Sequence, residues 1–228
     1  MSRRIFCFVI SISCVLLTAP SLLAGDLAKY REFQFGTSLS AVAKQRGMQQ
    51  TSEVKVVHER PVLIQELQWQ PLRSYRSDYA TDPVKEIILG FYNGELFQMV
   101  VNYDRFKTEG ITPEDMIEAI SKIYGTATRT TAEITYHSVY TEVSKVIARW
   151  EDPEYSYNLV GSSDRPNFTL VLFSKRLDAL ASAATIEAVR MEKEEAPQRE
   201  IDARQKQEED RRLQLDKARL VNKPAFRP

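Results

Sequence analysis

An excess of either charge is missing from this chain, because thirty-one Lys and Arg residues meet thirty-one Asp and Glu. Without a basic surplus the general attraction to nucleic acid is lost, and no nucleic-acid partner is expected. Cysteine is scarce as well, and both copies, Cys7 and Cys14, stand near the amino terminus. The remainder therefore has no thiol, disulfide or cysteine metal ligand, and packing must hold it together. Histidine occurs only as His58 and His137, so a zinc site would have to unite distant segments, and neither a metal nor a cofactor is expected. A phosphate-binding glycine run ending in Lys-Ser or Lys-Thr is absent, as is a G-x-S-x-G elbow. The paired carboxylates Glu114-Asp115 and Glu151-Asp152 fit a helix start and a turn. Asn167-Phe168-Thr169 matches a glycosylation sequon, to which no role is assigned.

What is present begins with "MSRRIFCFVISISCVLLTAPSLLAGD". Arg3 and Arg4 precede a long apolar run that ends in small residues at Ala24 and Gly25, the layout of a signal peptide over residues 1–25. The protein is expected in the periplasm or outside the cell, with no transmembrane segment once the leader is removed. Lipidation at Cys14 is the alternative; "SISC" lacks the leucine usual three residues before the modified cysteine.

Residues 26–174 mix helical and strand periods. In "GTSLSAVAKQRG" the apolar Leu39, Val42 and Ala43 share one helical face, Thr37 or Ser38 can cap the start, and Gly47 can stop it. "EVKVVHE" and "VLIQELQWQ" follow as strands, the second placing Leu63, Leu67 and Trp69 on one face. "KEIILGFYNGELFQMVVNY" reads as two strands joined at Asn93-Gly94, the pair that best tolerates the positive φ angles of a tight hairpin. "ITPEDMIEAISKIYG" predicts a helix capped by Thr112, with Pro113 first, Asp115 closing a capping box, a buried stripe of Ile117, Ile120 and Ile123 or Tyr124, and a stop at Gly125. "VSKVIARWE", "EYSYNLVG" and "FTLVLFS" are further strands, the last apolar on both faces and so central in its sheet, with "SSDRPN" as the loop before it.

The pattern predicts an α+β fold with antiparallel sheets in two tandem helix-plus-sheet units, residues 26–110 and 111–174. Gly36, Ser38, Val42 and Gly47 stand in the spacing G-x-[ST]-x-x-x-V-x-x-x-x-G, which resembles the helix signature of the SmpA/OmlA (BamE-type) family. "FYNGELFQMVV" is similar to that family's closing hairpin, and the resemblance covers roughly residues 30–174. It implies a small helix-plus-sheet fold, found in tandem in the β-lactamase inhibitory proteins, and a role in outer-membrane assembly.

Residues 175–228 change character. They are rich in Ala, Glu, Lys, Arg and Gln, broken by Pro197, and predict a long charged helical tail. Glu195 with Arg199, Glu200 with Arg204, Asp202 with Lys206 and Glu208 with Arg212 form opposite-charge pairs four apart. Ile201 and Leu215 lie two heptads apart with Glu208 between them, so no continuous coiled-coil seam forms.

Two polar stretches, "RSYRSDYATD" and "TYHSVYTEVS", set Tyr75, Tyr79, Tyr136 and Tyr140 among Ser, Arg, Asp and His. Tyrosine gives a large contact area for little entropy, which makes these residues candidate partner contacts, together with Ile201, Leu213 and Leu215 of the tail. The same rings also suit ordinary sheet-edge positions. The expected function is an exported, non-catalytic protein-binding or scaffold module of the cell envelope. The alternatives are a small periplasmic enzyme with a loop-built Tyr/Arg/Asp/His site and an outer-membrane assembly factor.

Overall fold

The computed structural model describes residues 25–45, 54–71, 82–137, 141–161, 167–225 and 227. Residues 1–24, Gly47, Tyr75, Tyr79, Tyr140 and most of "SSDRPN" lie outside these residues. The fold is α+β with antiparallel sheets and a long C-terminal helix.

The chain opens with a small ribbon, β1 (Lys29–Tyr30) and β2 (Phe33–Gln34), turning through Arg31 at a φ of 55°. Helix α1 (Leu39–Ala43) follows, with the Ser38 hydroxyl accepting from the Ala41 amide. It is a five-residue turn ending at Lys44, and Val42 is its buried anchor. Strands β3 (Lys55–His58), β4 (Ile64–Trp69), β5 (Val84–Tyr92) and β6 (Glu95–Tyr103) then form a meander. Leu67 and Trp69 face the main core as predicted; Leu63 lies just before β4, and Ile64 packs on the opposite face.

A second round repeats this order. Helix α2 (Pro113–Tyr124) leads into β7 (Thr128–Arg129), β8 (Glu133–His137), β9 (Thr141–Glu151), β10 (Tyr155–Gly161) and β11 (Phe168–Ser174). The Thr112–Asp115 capping box is formed in both directions, and backbone and side-chain donation from Thr112 holds the Asp115 carboxyl below its usual range. The buried residues of α2 are Met116 and Ile120; Ile123 is exposed, and Tyr124 takes the fourth-turn position. Met116, Ile120 and Tyr124 recur every four residues along one face, flanked by Ile117, whereas Ile123 is exposed in the last turn although it lies close to Met116 in rotation.

The nine-stranded sheet runs β3-β4-β5-β6-β11-β10-β9-β7, with β8 pairing beside β9. Its order is palindromic about a central β6–β11 seam, where Val100 stands opposite Val171. β11 is central, as its two apolar faces predict. Both helices pack on one face over a single core that joins Val42 of α1, Met116 and Ile120 of α2, and residues of both meanders including Phe91, Met99, Trp150 and Leu172. The two units therefore share one core.

The opposite face is covered in two pieces. Ile134 and Tyr136 of β8 pack on Val100, Val146, Val160 and Val171. On the other half, Leu177, Ala181 and Ala184 of α3 (Lys175–Ala225) pack on Ile64 and Phe97. The small alanines let the helix lie close to the sheet. Pro197 does not end α3, which runs on through it. Proline supplies no amide hydrogen to the carbonyl one turn back. Arg199 donates from its guanidinium to the nearby Glu192 carbonyl at 3.1 Å.

The β5–β6 turn offers a direct check on the backbone. Asn93 and Gly94 have φ of 49° and 81°, and open space surrounds a side chain at Gly94, so only the dihedral opposes substitution. Gly94→Val is expected to lower unfolding free energy by roughly 1 kcal/mol or more. An unchanged melting transition would refute the strain.

Candidate functional site

Three polar or apolar arrangements stand out from the scaffold. The first ties the N-terminal ribbon to the core. Arg31 donates from both terminal guanidinium nitrogens to Asp82, each at 2.7 Å, and its cation lies 5.9 Å from the Trp69 ring centre. Burial pushes the Asp82 carboxyl upward; the Arg31 guanidinium and the Val84 amide outweigh it and hold the group below its usual range. Around this pair Tyr30, Tyr103, Tyr124 and Tyr157 converge, and the Tyr157 hydroxyl donates to the Lys29 carbonyl at 2.7 Å. Burial raises all four phenols above their ordinary value. They stay neutral, and their hydrogen bonds fasten the ribbon to both units.

The second arrangement is a polar ladder on the opposite face. Glu86 stands across from Asn102, and Asn102 across from Thr169, so the sheet register alone lines up three polar side chains from three strands. The Thr169 hydroxyl donates to the Asn102 carbonyl oxygen at 3.0 Å, the Asn102 amide donates to Glu86 at 3.1 Å, and the Gln68 amide donates to the second Glu86 oxygen. Both oxygens of this buried carboxylate are thus held. Two adjoining hollows of about 500 and 560 Å³ open over the ladder and share Asn102, Asn167 and Thr169 in their walls. Lys85 and Arg105 flank one, and Glu133, Glu142 and Lys145 flank the other. Such a lining can hydrogen-bond a polar ligand; the ladder donors are already engaged with one another.

Tyr136 belongs to this region and not to an exposed contact loop. "ITYH" forms β8, with Ile134 and Tyr136 alternating inward. The Tyr136 ring is buried, and its hydroxyl donates to Glu142 at 2.9 Å. Burial, opposed by the Ser144 hydroxyl and helped by Glu142, pushes the phenol up to about 12. Its alternation with Ile134 was the signal that the polar neighbours obscured. Tyr75, Tyr79 and Tyr140, its predicted companions, lie outside the described residues.

The third arrangement is the outer part of α3. Leu177, Ala181, Ala184 and Ala188 are its buried residues, and every residue from Ala196 to Ala225 is exposed. That length corresponds to about 45 Å of solvated helix. Ile201, Leu213, Leu215 and Leu220 all project into solvent there. At roughly 100° per residue, Ile201 and Leu215 share one line, and Leu213 and Leu220 share another well round the helix. Glu200 pairs with Arg204 as expected, whereas Glu195 reaches Arg60 of the domain at 2.8 Å.

Among the described residues no group of three or more His, Asp or Glu side chains could hold a metal ion, and no helix is long and apolar enough to cross a membrane. His58 lies under α3. Glu114–Asp115 caps α2, Glu151 pairs with Lys175, and Asp152 accepts from the Glu154 and Tyr155 amides. Comparisons with protein-family models, curated proteins and solved structures gave no match.

Proposed function

We propose that this chain is an exported, non-catalytic protein-binding or scaffold module of the cell envelope, and that outer α3 is its binding arm. The observation that carries the reading is the division of one helix into a docked base and a free outer part. The base contributes Leu177, Ala181, Ala184 and Ala188 to the domain, and from Ala196 onward nothing of the helix is buried while five large aliphatic residues, Ile201, Leu213, Leu215, Leu220 and Val221, are presented. Leaving isolated leucines in water is common; holding them along a charge-stabilised helix gives a partner a preformed surface with little ordering entropy left to lose. The leader pattern of residues 1–25 supports export.

Ending the chain at Glu195 tests the arm. The melting transition of the domain is expected to stay where it is, because no buried residue is removed, while a stoichiometric partner captured by cross-linking in the native envelope is lost. Replacing Ile201, Leu213, Leu215 and Leu220 together by glutamine should give the same loss with helix content kept. Retention of the partner by both variants would refute the reading. Collapse of the truncated domain would show that outer α3 packs within the molecule.

A further inference from the structure

The base of the arm meets the sheet edge at an unusual contact. His58, the last residue of β3, is largely covered by α3, and its Nδ1 is buried without a hydrogen bond, 3.4 Å from Glu192 Oε1. A hollow of about 300 Å³ surrounds the contact. Three carboxylates, Glu59, Glu192 and Glu195, line it against two guanidinium groups, Arg60 and Arg199. With a neutral imidazole this group carries one net negative charge. A protonated imidazole makes it neutral and turns the orphan nitrogen into a donor aimed at a carboxylate.

We infer that His58 and Glu192 form a protonation-sensitive latch, which fastens the base of α3 to the sheet edge in mildly acidic surroundings and loosens it as the pH rises. The thinness of the packing gives the latch its leverage. One leucine and three alanines are all that the helix buries, so their apolar contribution is small and a single charged contact is a sizeable fraction of it. Histidine is the side chain whose charge changes in the physiological range. The other ties at this edge run from Arg60 to Glu195 and from Arg199 to the Glu192 carbonyl. Asp178 in the first turn of α3 acts in the same direction, because burial pushes its carboxyl up to about 6. Its contribution must be separated from that of His58. The inference rests on the arm reading only for its purpose, since release would change how freely the arm can reach a partner. The latch itself is a statement about docking, and its failure leaves the partner test untouched.

Amide hydrogen exchange of residues 184–195, corrected for intrinsic rates and referred to β6 and β11 of the same sample, reads docking directly. From about pH 5.5 to about pH 8 the protection of this segment is expected to fall about threefold, the size of one partly exposed ion pair. In the Asp178→Asn background, which removes the second titrating group, His58→Gln and Glu192→Gln should each abolish the fall. Glu192→Gln alters only an exposed helix position, so it answers even where the histidine variant disturbs the sheet edge. Asp178→Asn should retain the fall. Equal protection of the parent at both pH values would overturn the latch. So would persistence of the fall when Glu192→Gln is combined with Asp178→Asn, or its disappearance in Asp178→Asn alone.

Discussion

Trp150→Ala is expected to destabilise the domain by about 3–5 kcal/mol, the range for removing a buried aromatic ring. The ring is fully buried in β9 within the core shared by both units. Its indole N–H donates to the Gly125 carbonyl at 3.0 Å and lies 3.2 Å from the Ser121 hydroxyl, so one side chain closes the end of α2 onto the sheet. Alanine would open a cavity that the rigid strand cannot fill and would leave the Gly125 carbonyl without its donor. Trp150→Phe separates the two effects. It keeps most of the ring and loses the donor, which should cost about 1–2 kcal/mol. Urea melts monitored by far-ultraviolet dichroism report both values. A loss under about 1 kcal/mol for the alanine variant would contradict the packing described for this core.

Asp178→Asn should act in the opposite direction and stabilise the protein at neutral pH. Burial alone pushes the Asp178 carboxyl up to about 6 from an ordinary value of 3.8. A raised carboxyl means that the folded state binds its proton more tightly than the unfolded chain does. Stability on this account is highest below about pH 4 and is lost as the pH rises through about 6. At about 1.4 kcal/mol per unit, discounted for the part of the side chain that water reaches, the penalty at pH 8 is on the order of 2 kcal/mol. Asparagine removes the charge while keeping the shape, so the variant should exceed the parent by that amount at pH 8 and match it near pH 4. Parallel stability curves for the two proteins would rule out a buried, titrating carboxyl at this position.

The elements that could be read in advance are those whose chemistry is local. Thr112, Pro113 and Asp115 specify a helix start within four residues, and Asn93-Gly94 specifies a turn within two. β11 could be placed centrally because its own residues are apolar on both faces. The seam was different. Nothing in β6 names β11 as its neighbour, and the Glu86–Asn102–Thr169 ladder exists only once that register is set. The Arg31–Asp82 pair is separated by 51 positions, and neither residue is marked locally as a partner. Tyr136 takes the second of the two readings open to it, a sheet position that fits its alternation with Ile134 and not its polar neighbours. Pro197 is the reverse case, a strong local breaker overridden by helix-forming residues on both sides.

The palindromic strand order also has a consequence for how the chain reaches this structure. Most strand pairs in the large sheet join close neighbours along the chain, and the β7–β9 pair skips only one short strand. At the β6–β11 seam, by contrast, Thr169 meets Asn102 across 67 positions. Loop-closure entropy is therefore concentrated in a single pairing, and contact order is low within each meander and high at their junction. Each meander can be assembled from short hairpins; only the junction requires a long search, and joining it completes the common core.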